Sequence, residues 1–167
     1  MKDKNALRVL TVKQPFASLL CWGVKDVENR SQKTNIRGRV LIHAGAQWYG
    51  DFYRGKSAVA KVFFPSNILT KEQRESMTFE QRSKLLKADT YLPLSAIIGE
   101  VEIVDCVQNH PSVWAIPGYW HWVVENAVLF PEPIPCKGAL SFWRPQGALI
   151  DQIFEQQIKL TSTLVTA

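Results

Sequence analysis

The longest strand pattern in the chain runs from Ala96 to Val107, and it limits the folds that the rest of the sequence can adopt. Its apolar residues alternate around Ile98, Val101 and Ile103, which is the period of a strand with a buried face. Shorter strand patterns precede and follow it at Leu7–Val12, Val40–Ala44, Trp120–Glu125 and Ala139–Trp143. Strands placed early, centrally and late, separated by helices, predict an α+β fold in which a small mixed β-barrel carries flanking helices.

Helices are predicted between and after these strands. The first opens at Gln14-Pro15, because the N–H that proline lacks has no partner in a first turn, and Gly23 ends it. Thr70 to Ala88 mixes acidic and basic residues in the pattern of a solvated helix, and Gly147 to Leu160 is predicted to form a closing helix. A rigid extended connector is predicted from three prolines, Pro131, Pro133 and Pro135.

The composition fits one domain that needs no covalent staple. With 167 residues, of which 46% are hydrophobic, we expect a single domain over 1–167, with a helical insertion at about 48–88 and a helical tail at about 146–167. Three cysteines without a Cys-x-x-Cys pair argue against a disulfide framework and a zinc site, and no cofactor is predicted. The polar N-terminus and the lack of a long apolar run predict a cytoplasmic protein without a membrane partner.

The charge and the aromatic residues both favour an acidic partner. The net charge is +5 and the pI about 9.2, which suits nucleic acid, although basic proteins without such a partner are also common. Tyr119 to Trp122 is an aromatic cluster in which alternation places Trp120 and Trp122 on one face. Either both rings belong to the core, or one of them stacks on a base.

The segment from Lys25 to Arg30 carries four charges in six residues. Such charges are costly to bury without partners, so the segment is either a solvated edge strand or the wall of a cleft in which Asp26, Glu28 and Arg30 meet a ligand. His43 ends the apolar strand that follows. It is either a hydrogen-bonded core residue or the nearest candidate for a general acid or base.

Three blocks of sequence follow one another in a distinctive order. They are Leu10–Ala17 with Gln-Pro at a helix start, Gly23–Arg30 with Gly-x-Lys-x-x-Glu-x-Arg, and Arg37–Ala44 with Arg-Gly before a strand ending in His-Ala. In this order they resemble the ASCH family of small PUA-like barrel domains, named for homology to a transcriptional coactivator. Later stretches match as well, and the resemblance covers about residues 7 to 145: Ile98–Val101, Trp122–Asn126 and Lys137–Leu140.

The resemblance implies a PUA-like β-barrel with a charged cleft between the barrel and the first helix. It implies that this cleft is lined by Lys25, Glu28, Arg30, His43 and Trp122. Thr34, between the second and third blocks, and Arg37, a further cation for phosphate, complete the candidate binding residues. Such domains are regarded as RNA-binding or nucleotide-binding modules, so RNA or a nucleotide-like ligand is the expected partner.

Catalysis stays open at this point. One branch of the family resembles amidohydrolases that deacylate a modified cytidine with a Lys-x-x-Thr pair and a Glu after the central strand. This chain keeps Lys25 but has Glu28 at the threonine position, and residues 108–120 contain no Asp or Glu. If the chain is a small hydrolase of amidohydrolase or nuclease type, acting on a modified nucleoside or RNA, Lys25 and Glu28 are the candidate catalytic residues.

Overall fold

Six strands form one curled sheet in the computed structural model, which describes residues 7–49, 70–76, 78–79 and 92–165. The strands are β1 Val9–Gln14, β2 Val27–Arg30, β3 Gly38–Trp48, β4 Ala96–Val107, β5 Trp120–Pro135 and β6 Phe142–Trp143. Their order across the sheet is β2-β5-β4-β3-β1-β6. β1 runs parallel to β3, and the other neighbouring pairs are antiparallel. The curled sheet forms a half-barrel, and the predicted α+β PUA-like fold is confirmed.

The described residues also form three helices, the first of which packs into the barrel core. They are α1 Phe16–Cys21, α2 Lys71–Ser76 and α3 Ala148–Val165. The predicted proline start is off by one residue, since Pro15 caps α1 instead of occupying its first turn. Of the proposed insertion at 48–88, residues 50–69, 77 and 80–88 lie outside the described residues. In the described part of the chain, no helix is both long and apolar enough to cross a membrane.

Alternation along the strands builds a core on each side of the sheet. In β1, Leu10 points into the barrel, whereas Val9 belongs to the cluster on the outer face. The partner strand repeats this division, because Leu10 pairs with Ile42 and Val9 with Leu41. Ile153 of α3 covers the outer cluster and is fully buried. The sheet is therefore packed on both faces.

Several strands differ from their predicted bounds. β3, predicted at residues 40–44, runs from Gly38 to Trp48, so His43 lies within this strand and does not end it. β5 was predicted to end at residue 125, followed by a proline connector, but it continues through Pro131 and Pro133. It can do so because its ladder with β4 is irregular between Leu129 and Ile134, so a missing N–H there breaks no regular pair. The strand predicted at 139–143 is reduced to the two residues of β6.

Candidate functional site

The charged segment is largely buried, although β2 lies at one end of the sheet order. Glu28 pairs in register with Trp122 of β5, and Arg30 pairs with Trp120. The Lys25 side chain is 3% exposed and that of Glu28 is 10% exposed, whereas Arg30 is 25% exposed. A plain solvated edge strand would leave all of them in water, so this interpretation does not describe the segment.

Lys25, Glu28 and Arg30 form one continuous chain of ion pairs, which we call the charged triad. Lys25 Nζ donates to Glu28 Oε2 at 2.9 Å and also to the Val27 carbonyl oxygen. Arg30 Nε donates to Glu28 Oε1 at 3.1 Å, and its Nη2 donates to the backbone oxygen of Thr11 at 2.9 Å. Both carboxylate oxygens of Glu28 therefore accept from a cation, which compensates for its burial.

Aromatic rings surround the charged triad. The Arg30 guanidinium lies 5.6 Å from the ring centroid of Trp122, and Lys25 Nζ lies 5.5 Å from that of Phe16. Trp122 stacks on Phe142 at 5.2 Å with nearly parallel planes, and its Nε1 donates to the Gln32 carbonyl at 3.0 Å. Trp122 is buried, so it serves as a core ring that supports Arg30 and leaves little surface for stacking on a base.

His43 is a buried residue whose two ring nitrogens are both engaged. Its Nε2 lies 3.1 Å from the Cys136 carbonyl oxygen, which can only accept, so Nε2 carries the proton. Its Nδ1 therefore accepts from the hydroxyl of Thr11 at 3.3 Å, and that hydroxyl accepts from Trp143 Nε1 at 3.0 Å. A Cβ at Gly138 would lie 2.3 Å from the His43 ring, so glycine allows the backbone to lie over the imidazole.

His43 makes the stability of the domain depend on pH. Burial lowers the pKa of His43 below its ordinary 6.5, and the bond to the Cys136 carbonyl offsets only part of this effect. The unfolded chain therefore binds a proton in a range where the folded chain does not, so stability is lost as the pH falls through 6.5 towards the folded pKa. The largest slope expected is about 1.4 kcal/mol per pH unit.

Urea unfolding at several pH values measures this effect, with His43→Gln as the comparison because glutamine does not titrate. We expect the difference in unfolding free energy between the two proteins to shrink below the ordinary histidine pKa. An equal pH slope in both proteins would show that His43 is not the titrating group.

Thr11 connects His43 to the charged triad. Its backbone oxygen accepts from Arg30, while its hydroxyl reaches His43, so this residue links the histidine to the triad. Sequence reasoning did not select Thr11. The available signal was a polar residue between Leu10 and Val12 in a strand that is otherwise apolar at this point.

Thr34 and Arg37 make their contacts away from the charged triad. The Thr34 N–H points at Cys106 Sγ at 3.4 Å, and its hydroxyl oxygen accepts from the backbone of Ile36. Arg37 forms an exposed ion pair with Asp105 at 3.1 Å. Of the seven predicted binding residues, the structure thus brings Lys25, Glu28, Arg30 and Trp122 into contact, and His43 follows through Thr11.

The other polar residues near β2 hold the loop that precedes β5. Asp26 accepts from the Ser112 hydroxyl, and Asn29 Nδ2 donates to the Trp114 carbonyl at 2.9 Å. His121 is buried, and its Nδ1 accepts from the backbone of the same loop at 3.1 Å. These side chains are used to position the loop, so the polar groups left at the site are those of the charged triad.

Among the described residues, no group of three or more His, Cys, Asp and Glu side chains is arranged to hold a metal ion. Cys21 is buried in the barrel, where burial and, to a lesser extent, the Glu100 carboxylate raise the pKa of its thiol, and a protonated thiol is a poor nucleophile.

A comparison with known protein families finds a match that spans the site. The family model of the ASCH domain matches residues 10–132, a range that contains the whole charged triad, Thr11 and His43. No curated protein matches the chain.

Proposed function

The chain belongs to the ASCH domain family, and on this premise we propose that it is an RNA- or nucleotide-binding module whose charged triad contacts the ligand. Domains of this family are generally associated with RNA binding. The net charge of +5 is consistent with an anionic ligand. The observation that carries the proposal is that the Arg30 side chain is held in a fixed orientation and is still partly exposed.

Arg30 is the member of the charged triad that is both fixed and accessible. Glu28 and the Thr11 carbonyl hold two of its nitrogens, and Trp122 supports the guanidinium plane. Its Nη1 has no protein partner within the residues that the structure describes, and a quarter of the side chain is exposed. A guanidinium that is already oriented loses little entropy on binding and presents its remaining N–H groups to a phosphate.

Two exposed side chains close to rings that surround the triad supply surfaces for a base. Tyr49 is 52% exposed, and its ring packs edge-on against Phe16 at 5.0 Å, beside Lys25. Leu140 is 93% exposed and lies two residues before Phe142, the ring that stacks on the core indole. Unstacked bases of single-stranded RNA bind to such aromatic and apolar groups, which supports a ligand of this kind.

The hydrolase alternative has weaker support from the same contacts. A general base must reach a proton of a water or substrate, but the Glu28 side chain is only 10% exposed and each of its oxygens already holds a cation. Lys25 donates to Glu28 and to the Val27 carbonyl, so it acts here as a cationic donor and not as a nucleophile. We therefore propose binding by the charged triad without catalysis.

Fluorescence anisotropy with a labelled single-stranded RNA of mixed sequence tests the proposal. We expect saturable binding at low salt, and the slope of log affinity against log salt should be about −0.7 for each phosphate contacted. Lys159→Ala is the control for net charge, because Lys159 lies on α3 and pairs with Glu132 at 2.7 Å. Absence of binding at low salt, or equal affinity at all salt concentrations, would contradict the proposal.

A further inference from the structure

A second cation close to Arg30 in sequence is held over an aromatic ring in the same way. Lys33 Nζ lies 5.6 Å from the ring centroid of Trp120, the same separation as between Arg30 and Trp122. The two tryptophans are two residues apart on β5, so their side chains leave the same face of the strand, about 7 Å from one another. Two cations, Arg30 and Lys33, thus lie over two tryptophans that are two residues apart on β5.

This arrangement depends on the direction in which the Arg30 side chain extends. The Cα atom of Arg30 pairs with Trp120, yet the guanidinium reaches Trp122 because its acceptors, Glu28 and the Thr11 carbonyl, lie in that direction. The ring of Trp120 is then left to Lys33. Each indole therefore fixes one cation, and neither cation displaces the other.

The charges of this region leave two positive charges for a ligand. In the charged triad, one carboxylate faces two cations, which leaves a net charge of +1. Lys33 is exposed and has no carboxylate partner within the residues described, so it adds a second positive charge. Farther along the segment, Asp105 neutralises Arg37. The positive charge of residues 30–37 that no carboxylate neutralises therefore lies on Arg30 and Lys33. The other carboxylate of the segment, Asp26, accepts from the Ser112 hydroxyl in the loop before β5.

We infer that Arg30 and Lys33 contact consecutive phosphates of a single RNA strand, so that the ligand is an oligonucleotide and not a free mononucleotide. This inference rests on the proposed function. Two phosphates match the two available charges, and the indoles hold each cation in place before the strand binds. A single strand is favoured because its unstacked bases can contact the exposed side chains of Tyr49 and Leu140, whereas the bases of a duplex are stacked and paired.

Calorimetric titration with a ribonucleoside monophosphate and with a dinucleotide phosphorylated at its 5′ end tests this inference. We expect the wild-type protein to bind the dinucleotide about fivefold more tightly, the effect of one exposed charge contact. Lys33→Ala should remove this difference and leave mononucleotide binding unchanged, and Lys33→Arg should preserve it. Arg30→Ala should weaken both ligands, whereas Lys159→Ala, which removes the same charge from α3, should weaken neither.

Three outcomes can be told apart. Loss of the dinucleotide preference in Lys33→Ala alone supports two phosphate contacts. Equal affinity of the wild-type protein for both ligands, or a preference that survives Lys33→Ala, overturns the inference and leaves the proposed function intact. If the wild-type protein binds neither ligand and also fails to bind a longer single-stranded RNA, the proposed function fails and the inference fails with it.

Discussion

Replacing Arg30 with alanine is expected to weaken the binding of single-stranded RNA by about 10- to 100-fold, the effect of losing hydrogen bonds between charged groups. Arg30 is the triad member that combines exposure with a fixed orientation, so its loss removes the phosphate contact itself. The domain should remain folded, because Glu28 keeps its bond to Lys25. Anisotropy titrations give the affinity, and circular dichroism on heating checks the fold.

Two further variants separate geometry from charge at this position. Arg30→Lys keeps the charge but lacks the planar guanidinium that holds Glu28 and the Thr11 carbonyl in fixed directions, so we expect it to restore only part of the affinity. Lys159→Ala removes one charge at a distance and should bind RNA like the wild-type protein. If Lys159→Ala weakens binding as much as Arg30→Ala, binding reflects net charge alone and the site is not the triad.

Replacing Glu28 with alanine is expected to lower the unfolding free energy by about 3 to 5 kcal/mol, because it leaves a buried ammonium group without its carboxylate. Lys25 is 3% exposed and would retain only its bond to the Val27 carbonyl. Chemical denaturation with urea measures the loss. A change below about 1 kcal/mol, the range of surface ion pairs, would show that Lys25 reaches water when its partner is removed.

The double variant Lys25→Met with Glu28→Met distinguishes the structural role of this pair from its role in binding. Removing both charges avoids an unpaired buried ion, so the double variant should recover most of the stability that Glu28→Ala loses. RNA binding should stay weak, because Arg30 would then lack the carboxylate that orients it. A double variant that is stable and binds RNA normally would mean that the pair serves folding alone.

The sequence patterns predicted those strands and helices that are determined by the residues within the element itself. The β4 boundaries at Ala96 and Val107 agree with the structure, because a long alternation of apolar residues has few other solutions. For the charges near Glu28, local reasoning left both a solvated edge strand and a cleft wall open, and only the family resemblance favoured the cleft. Whether the triad forms a ligand-binding site is the part that stays a prediction.

The contacts that complete the site join residues far apart in the chain, and no local pattern encodes them. Thr11 meets His43 across 32 positions and Trp143 across 132. The stacking of Trp122 on Phe142 depends in the same way on how the curled sheet brings β5 near β6. The sequence indicated which side chains needed partners, but only the folded sheet identifies those partners.

An NMR titration of the labelled protein with a short single-stranded RNA is the most direct test of the proposal that the charged triad is the binding site. The side-chain N–H signals of Arg30 Nε and Trp122 Nε1 report on the triad and the indole that supports it. We expect the Arg30 signal to show one of the largest shifts, a smaller shift at Trp122, and no change in α3. Saturable binding with shifts confined to other surfaces and unchanged Arg30 and Trp122 signals would contradict it.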